Sequence, residues 1–395
     1  MDFGGQTDRI SGGSFWRAAI NERSPLGGIY LVGLLLLLVG CTTTELTLPD
    51  LNRSPRAAYE RQLRRQHGDF IADRFYRVAR TALRDSVRID LPYEEVASVD
   101  TFVMQAATYF LDLEWGQALE LDWRESTVPV LVELSPANDL GETSYQGGPA
   151  DTLVRIPVPA TGTYLLHVQP LWRTSGRLHL RARRTAAVGF PVVGKGNADI
   201  WSKWGDPRDG GKRKHEGIDI FAKRGTPVVA VTDGRTRLRN GGLGGKTVWL
   251  GDEEGRSWYY AHLDSQYVAT GDHVDAGDTL GTVGNTGNAR RTRPHLHFGL
   301  YRRGRGATDP LPWVQYYPDR YRTLLARPER TRARGRLGRA GAALLDRADR
   351  GAETKSRLSG RSRVYVLGAT GDYYRVRTLH GRVGYVSRRA LARRV

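Results

Sequence analysis

Histidines and an aspartate with metal-ligand spacing are concentrated between residues 206 and 300 of this chain. They occur in two short motifs, His215-Glu-Gly-Ile-Asp219 and His295-Leu-His297. Two imidazoles and one carboxylate suit a catalytic zinc ion that keeps its fourth position for water. Because His295 and His297 are two residues apart, a strand would point both side chains to the same face. One of them can then bind the metal while the other faces the water beside it.

A further histidine fits the same site. His262 ends the triplet Tyr260-Ala-His262, which follows an aromatic, strand-like run and could come from a neighbouring strand. An imidazole with a pKa near ~6.5 can accept a proton and return it at neutral pH. The other five histidines lie in polar surroundings or on polar strand faces, and we predict that they are solvated structural residues: His67, His167, His179, His273 and His380.

The order of these motifs resembles that of the LytM/lysostaphin-type zinc peptidases, family M23, which cut peptide bonds in the bacterial cell wall. H-x-x-x-D, Y-A-H and H-L-H-F follow one another here, with Trp204-Gly-Asp-Pro-Arg208 before the first ligand and a Gly225–Gly234 segment after it. The resemblance covers residues 188 to 313, roughly a third of the chain. A single H-x-H would be weak evidence, whereas three ordered motifs with these flanks are specific.

The resemblance implies one Zn²⁺ held by His215, Asp219 and His297. It also implies that His262 and His295 polarise the zinc-bound water and steady the oxyanion. Zinc would lower the pKa of that water toward ~7, which provides a nucleophile without a covalent intermediate. The expected activity is therefore hydrolysis of peptide bonds in peptidoglycan cross-links or stem peptides.

A substrate groove beside the metal is also expected, and four residues are predicted to line it: Arg208, Tyr260, Asn285 and Arg293. Two positions depart from the family pattern. Arg293 precedes Pro294 where the family usually has glycine, and Gly299 stands where an acidic residue is common. Neither is a ligand position, so both concern the shape of the groove.

Two alternative functions share these motifs. A catalytically silent relative would regulate another wall hydrolase or bind the wall, with zinc as a structural ion only. The retained pair His262 and His295 argues against it, because a structural site does not need them. A peptidase that acts on proteins would carry every motif described above.

The composition limits the possible partners. A chain of 395 residues predicts two to three domains. Its formal net charge of +18 favours an anionic partner. We recognise no nucleic-acid-binding module, so the charge favours the cell wall or a membrane surface over nucleic acid.

The one cysteine, Cys41, excludes an intrachain disulfide and follows an apolar run over residues 29–39. The sequence Leu38-Val-Gly-Cys41 resembles the lipobox of bacterial lipoproteins. An apolar run this short suits a signal peptide and not a membrane-spanning helix, which needs ~20 residues. We therefore predict export, cleavage after residue 40 and membrane anchoring through lipidated Cys41. Thr42 favours the outer membrane, facing the periplasm, in a cell that has two membranes.

The periodicity of apolar residues divides the remaining chain and predicts a mainly β fold with a short helical stem. The part over 87–186 loosely resembles jelly-roll-like pre-peptidase C-terminal domains. The motif Asp372-Tyr-Tyr-Arg-Val, followed by Gly381-Arg-Val-Gly-Tyr-Val, resembles bacterial SH3 domains, whose Tyr373, Tyr374 and Tyr385 would line a peptide groove or fill a core. The predicted segments are a signal peptide over 1–40, the lipidated cysteine and helical stem over 41–86, a β-sandwich over 87–186, an antiparallel-sheet peptidase domain over 188–318, a basic linker over 319–336 and an SH3-like β-barrel over 337–395.

Overall fold

The computed structural model describes residues 54–139, 145–318, 320–331 and 334–392. The predicted signal peptide and Cys41 lie outside these residues. Two helices come first, α1 (Pro55–His67) and α2 (Asp69–Arg84). The Oγ of Ser54 accepts a hydrogen bond from the Ala57 amide at 3.0 Å, which caps α1. In the described part of the chain, no helix combines the length and the apolar character that a bilayer crossing needs.

A β-sandwich follows the helices. Its strands are β1 (Val87–Arg88), β2 (Tyr93–Val99), β3 (Ala107–Leu113), β4 (Gln117–Asp122), β5 (Val130–Pro136), β6 (Tyr145–Gly147), β7 (Leu153–Pro157), β8 (Gly162–Pro170) and β9 (Gly176–Ala186). One sheet has the order β1-β3-β8-β5-β6, and β2, β9, β4 and β7 lie in a second sheet. Alternate residues of both sheets, such as Leu111 and Leu121, form a shared core.

The helix pair packs on the outer face of the first sheet through Leu63, Phe75 and Leu131. This packing corrects the expectation for His167, which is 5% exposed instead of solvated. Its Nδ1 lies 2.8 Å from the Thr108 hydroxyl, while its Nε2 has no hydrogen-bond partner among the residues that the structure describes. The strand pattern alone did not reveal that helices cover this face.

The region predicted to hold the metal site is a second β-rich body. Its elements are β10 (Ile200–Ser202), β11 (Pro207–Arg208), β12 (Arg213–Lys214), β13 (Ile218–Phe221), β14 (Pro227–Val229), β15 (Gly234–Gly241), β16 (Gly245–Gly251), β17 (Arg256–Gln266), β18 (His273–Val274), β19 (Thr279–Val283), β20 (His295–Arg302), β21 (Gly306–Thr308) and α3 (Leu311–Val314). The main sheet has the order β10-β13-β20-β17-β16-β15-β18 and is antiparallel. One of its faces is packed with apolar side chains, including Ile220, Tyr260 and Phe298.

The C-terminal strands are β22 (Arg334–Arg336), β23 (Ala342–Leu345), β24 (Thr354–Leu358), β25 (Arg363–Thr370), β26 (Tyr373–Thr378) and β27 (Val383–Ser387). They join the second sheet of the sandwich, because Val96 of β2 pairs with Ala369 of β25. Tyr373, Tyr374 and Tyr385 are all buried, which favours a core role over a peptide groove.

The predicted basic linker packs on this C-terminal part in its described residues. Ala326 is 1% exposed, and its amide donates to the Gly371 carbonyl at 2.8 Å. Thr331 is also buried, and its hydroxyl donates to Ser98 of the sandwich at 2.7 Å. The segment is therefore not uniformly solvated.

The mainly β expectation is confirmed, with several antiparallel sheets and short helices near the N-terminal end of the described chain.

Candidate metal centre

Strand pairing brings the aspartate and one histidine together. Asp219 on β13 lies directly opposite His297 on β20. The two neighbours of His297, Leu296 and Phe298, point into the core and are fully buried. Because strand side chains alternate between faces, His295 and His297 share the opposite face, as the H-x-H spacing predicted. The Nδ1 of His297 lies 3.0 Å from Oδ1 of Asp219.

The loop between β12 and β13 supplies the third ligand atom. The Nδ1 of His215 lies 2.8 Å from the Lys203 carbonyl, to which it donates, and this leaves Nε2 for the site. That Nε2 lies 3.0 Å from Oδ1 of Asp219 and 2.9 Å from Nδ1 of His297. Gly217 permits this approach, because a Cβ there would lie 2.8 Å from the His297 ring.

These three atoms fit a zinc ion. With Nδ1 of His215 donating outward, its Nε2 carries a lone pair that faces a carboxylate oxygen, so a cation or a proton must lie between them. Burial alone would raise the pKa of Asp219, but the His215 and His297 imidazoles outweigh burial and hold that pKa well below its usual range. Burial lowers the pKa of His297, which favours its neutral, metal-binding form. Two nitrogens and one oxygen with all ligand atoms within 4.8 Å of one another are a zinc-type donor set.

A backbone irregularity turns His262 toward this centre. By simple alternation along β17, His262 would share the core face with Tyr260. The pairing of β16 with β17 shifts register between Lys246 and Val248, and His262 adopts a φ of 64°. A bulge of this kind re-aims a side chain, and here the His262 ring lies 6.0 Å from the His297 ring and 5.1 Å from the His295 ring.

The two remaining imidazoles are oriented by backbone carbonyls. Nδ1 of His262 lies 2.9 Å from the Thr286 carbonyl, and Nδ1 of His295 lies 2.8 Å from the Arg293 carbonyl. The Nε2 atom of each ring therefore remains available to groups in the cleft. Burial, followed by repulsion from His295 and His297, lowers the pKa of His262 to about 4, so this ring is neutral and can accept a proton at pH 7.

The Arg208 side chain binds the Asp219 carboxylate and does not extend into the open groove. Its guanidinium donates to Oδ2 of Asp219 at 2.7 Å and to Oγ of Ser202 at 2.6 Å. The Asp219 carboxylate thus has one oxygen bound to arginine and the other directed at the histidines. Partners behind the ligands fix ligand orientation in metal sites.

A cleft of about 550 Å³ surrounds the five residues, all of which line it. Of the four predicted groove residues, Arg208 lines this cleft. Tyr260 does not: it is 0% exposed, and its hydroxyl accepts a hydrogen bond from the Val231 amide at 3.0 Å. The expectation for Tyr260 is wrong because it lies on the core face of β17. Asn285 and Arg293 lie just outside the cleft lining, in the segment that leads to β20.

Motif reasoning missed the aromatic wall of the cleft. Tyr259, Tyr301 and Phe221 line it. Tyr301 has the same parity as His297 on β20, and Tyr259 has the same parity as Ala261 on β17. Period-two alternation from His297 would have identified Tyr301, but alternation from His262 points to Tyr260 and would have missed Tyr259.

A cleft with a His-Asp-His ligand set and two further oriented imidazoles is the arrangement of a mononuclear metal hydrolase. Residues 213–310 match the sequence profile described as Peptidase family M23. The region that carries the site is therefore similar to the M23 peptidases along these residues.

Curated relatives resemble this part of the chain. The L-Ala–D-Glu endopeptidase of Bacillus subtilis (strain 168) is 34% identical over 143 residues, which cover 32% of this chain and 44% of the relative. The peptidoglycan DD-endopeptidase ShyC of Vibrio cholerae is 35% identical over 213 residues, or 52% of this chain and 45% of the relative. Lysostaphin of Staphylococcus simulans is 38% identical over 109 residues, or 26% of this chain and 21% of the relative. The chain spans less than half the length of each of these relatives.

Proposed function

We propose that this protein is a zinc metalloendopeptidase that hydrolyses peptide bonds in peptidoglycan cross-links or stem peptides. The observation that carries the proposal is the convergence of His215, Asp219 and His297 at 2.9 to 3.0 Å, with His262 and His295 beside them in one cleft. A structural metal site would not need the second pair of imidazoles. It would also ordinarily be closed by a fourth protein ligand.

The chain's own side chains supply the remaining chemistry. A zinc ion bound here would act as a Lewis acid toward the substrate carbonyl and would lower the pKa of a water molecule. His262 and His295 each present Nε2 to the cleft, where one can take a proton and later pass it to the leaving amine. The imidazole that is protonated during the reaction stabilises the developing oxyanion.

The substrate class is supported by two independent features. The relatives described above carry names that specify cell-wall peptide bonds, including L-Ala–D-Glu and peptidoglycan DD-endopeptidase activity. The formal charge of +18 also favours approach to an anionic wall.

Digestion of purified sacculi tests this function. The chain from Thr42 onward is incubated with sacculi, with and without a zinc chelator, and released fragments are identified by mass spectrometry. We expect chelator-sensitive release of fragments with a newly cut peptide bond, and the fragment masses name that bond. Binding of zinc and sacculi without any release would favour the silent regulator instead.

The cellular location is a separate proposal. We infer that the protein is exported and anchored through lipidated Cys41, facing the periplasm from the outer membrane where the cell has two membranes. Metabolic labelling with a radioactive fatty acid tests this, because Cys41→Ser should abolish both the label and sedimentation with membranes. Unchanged labelling of the Cys41→Ser protein would contradict it.

We also propose that the C-terminal residues 337–395 form an SH3-like module. The buried positions of Tyr373, Tyr374 and Tyr385 favour a module whose aromatic residues fill its core. A truncation before residue 337 would expose Glu95 and Val96, so we expect it to reduce stability as well as any wall affinity. Sacculus sedimentation combined with thermal unfolding distinguishes the two effects.

A further inference from the structure

An exposed indole lies on β10, next to the cleft. Trp201 stands between Ile200, which pairs with Ile220, and Ser202, which pairs with Asp219. It is therefore the extra residue of a β-bulge, a feature that re-aims side chains near functional sites. Trp201 is 57% exposed, although tryptophan is on average a well-buried residue.

Three aromatic rings on adjacent strands connect this indole to the centre of the cleft. The ring of Trp201 stacks on Phe221, with centroids 4.4 Å apart and planes at 16°. Phe221 stacks in turn on His295 at 4.9 Å and 25°. Because β13 lies between β10 and β20, Phe221 is the middle ring. The stack therefore runs from solvent to an imidazole of the proposed catalytic pair.

A guanidinium group stands over the outer ring. The Cζ of Arg293 lies 5.8 Å from the centroid of Trp201, within the range of a cation–π contact. Arg293 is exposed, and within the described residues no carboxylate is paired with it. Its own carbonyl accepts the bond that orients His295. The unpaired guanidinium charge therefore belongs to a residue that is two positions before His295 in the chain.

The segment around Arg293 carries further basic side chains and no acidic one. Arg290 and Arg291 precede it on a short 3-10 turn, Gly287–Arg291, and both are exposed. No acidic residue occurs in the sequence between Asp278 and Asp309. An anionic group that enters the cleft beside His295 therefore meets cations without a competing carboxylate from this segment.

We propose that Trp201 and Arg293 form a subsite for a substrate residue that carries a free carboxylate next to the scissile bond. A guanidinium binds a carboxylate through charged, paired hydrogen bonds, and the indole offers a flat surface for the apolar part of the same residue. The proposal rests on the proposed peptidase function. It selects carboxylate-bearing wall peptides over an uncharged glycine bridge as the preferred substrates.

Calorimetric binding to the full-length chain tests the subsite. The two probes are a cross-linked muropeptide dimer with its free carboxylates and the same dimer with those groups converted to carboxamides. A chelator prevents cleavage during the titration. We expect the carboxylate form to bind about tenfold more tightly, since a hydrogen bond to a charged group contributes at least that factor. Arg293→Gln should bring the two affinities within about twofold of each other.

Arg303→Gln is the matched control, since it removes the same charge from an exposed residue beyond the far end of β20. Arg303→Gln should still bind the carboxylate probe more tightly than the carboxamide probe. If Arg293→Gln and Arg303→Gln lost this preference equally, the net charge of the protein would explain it, and the subsite would be overturned. Trp201→Phe should weaken the binding of both probes, and Trp201→Ala should weaken it further. An unchanged affinity in Trp201→Ala would also overturn the subsite.

Cleavage of the same two probes by the zinc-loaded protein separates this inference from the proposed function. Carboxylate-dependent binding without cleavage of either probe would refute the peptidase and support the subsite. Cleavage and binding of both probes with equal efficiency would support the peptidase and refute the subsite.

Discussion

Two buried polar clusters in this chain use similar groups in different ways. In the junction between the sandwich and the C-terminal strands, Glu95 accepts hydrogen bonds from Tyr93 at 2.7 Å, Tyr109 at 2.9 Å and Arg375 at 2.8 and 2.9 Å. In the metal centre, Asp219 receives an arginine on one oxygen, while the other faces two histidine nitrogens. The first carboxylate has donors on both oxygens, whereas one oxygen of the second faces the Nε2 lone pair of His215.

This difference separates a structural cluster from a functional one. Burial alone would raise the pKa of Glu95, but the charge and hydrogen bonds of Arg375 outweigh it and keep Glu95 ionised. Gly368 makes room for the pair, since a Cβ there would lie 2.4 Å from the carboxylate. Nothing further needs to bind at that junction. At the metal centre, the lone pairs need a cation, and the cleft provides access to it.

The largest expected effect comes from removing a ligand. His297→Ala should abolish stoichiometric zinc binding and all peptidase activity, because two protein ligands do not hold zinc in an open site. His295→Ala should retain zinc and lose turnover by about 10²- to 10⁴-fold, the usual share of a general acid or base. Zinc content by atomic spectroscopy and hydrolysis of sacculi measure the two effects.

His273→Ala is the control for both variants, because His273 is exposed on β18, an edge strand that is separated from β20 by β17, β16 and β15. Full activity in His295→Ala would show that its assigned role is wrong.

The structural cluster should respond in the opposite way. Arg375→Ala leaves Glu95 buried and uncompensated, so we expect the free energy of unfolding to fall by about 3–5 kcal/mol. The zinc affinity of the folded protein should not change. Urea unfolding and zinc titration provide the two readouts.

Arg377→Ala, two residues along the same strand, is the matched control. Arg377 pairs with Asp85 at 3.1 Å in a more exposed position, where such a pair contributes about 1 kcal/mol or less. Equal destabilisation by the two variants would contradict the distinction between them.

Arg208 tests whether the outer partner of Asp219 matters for the metal. Arg208→Ala frees Oδ2 of Asp219, and we expect zinc affinity to fall about 10- to 100-fold, the usual effect of losing an outer partner. Competition with a fluorescent zinc chelator measures this. Arg213→Ala is the comparison, because Arg213 also lines the cleft but pairs with Asp209. An unchanged affinity in Arg208→Ala would mean that the ion pair only holds the loop.

His167 sharpens the comparison, since among the described residues its buried Nε2 has no hydrogen-bond partner and it belongs to no metal-type cluster of side chains. Burial, followed by the charge of Arg56, lowers the pKa of His167 to about 3. In the unfolded chain the histidine pKa is near ~6.5, so between pH 6.5 and pH 3 the unfolded chain binds a proton at His167 and the folded chain does not. This contribution to stability is complete above pH 6.5 and is lost as the pH falls from 6.5 toward 3.

We therefore expect the loss of stability between pH 7 and pH 5 to be smaller in His167→Gln by up to about 2 kcal/mol. Urea unfolding of the unsubstituted protein and of His167→Gln, both treated with chelator, measures this at the two pH values. The contributions of the other titrating groups are the same in both proteins and cancel in the comparison. Identical pH dependence of the two proteins would refute the role of His167.

Much of the site was predictable because its signals are local. The ligand types and the H-x-H spacing depend on residues close in sequence, and strand alternation alone places His295 and His297 on one face. The same rule applied from His262 would have placed Tyr260 on the cleft face, whereas Tyr260 lies in the core. His262 was identified by its motif, but its orientation depends on a bulge against β16 that alternation does not predict.

The sequence by itself determined the mainly β character, the ligand set and the basic surface, since periodicity and side-chain chemistry are properties of short segments. Only the tertiary structure decided that His167 and the C-terminal tyrosines are buried, that Trp201 and Phe221 stack beside His295, and that Arg375 reaches Glu95 across 280 residues of chain. The physical reason is that burial and pairing depend on which distant strand or helix covers a face. That choice is set by the packing of the whole chain and not by any local pattern.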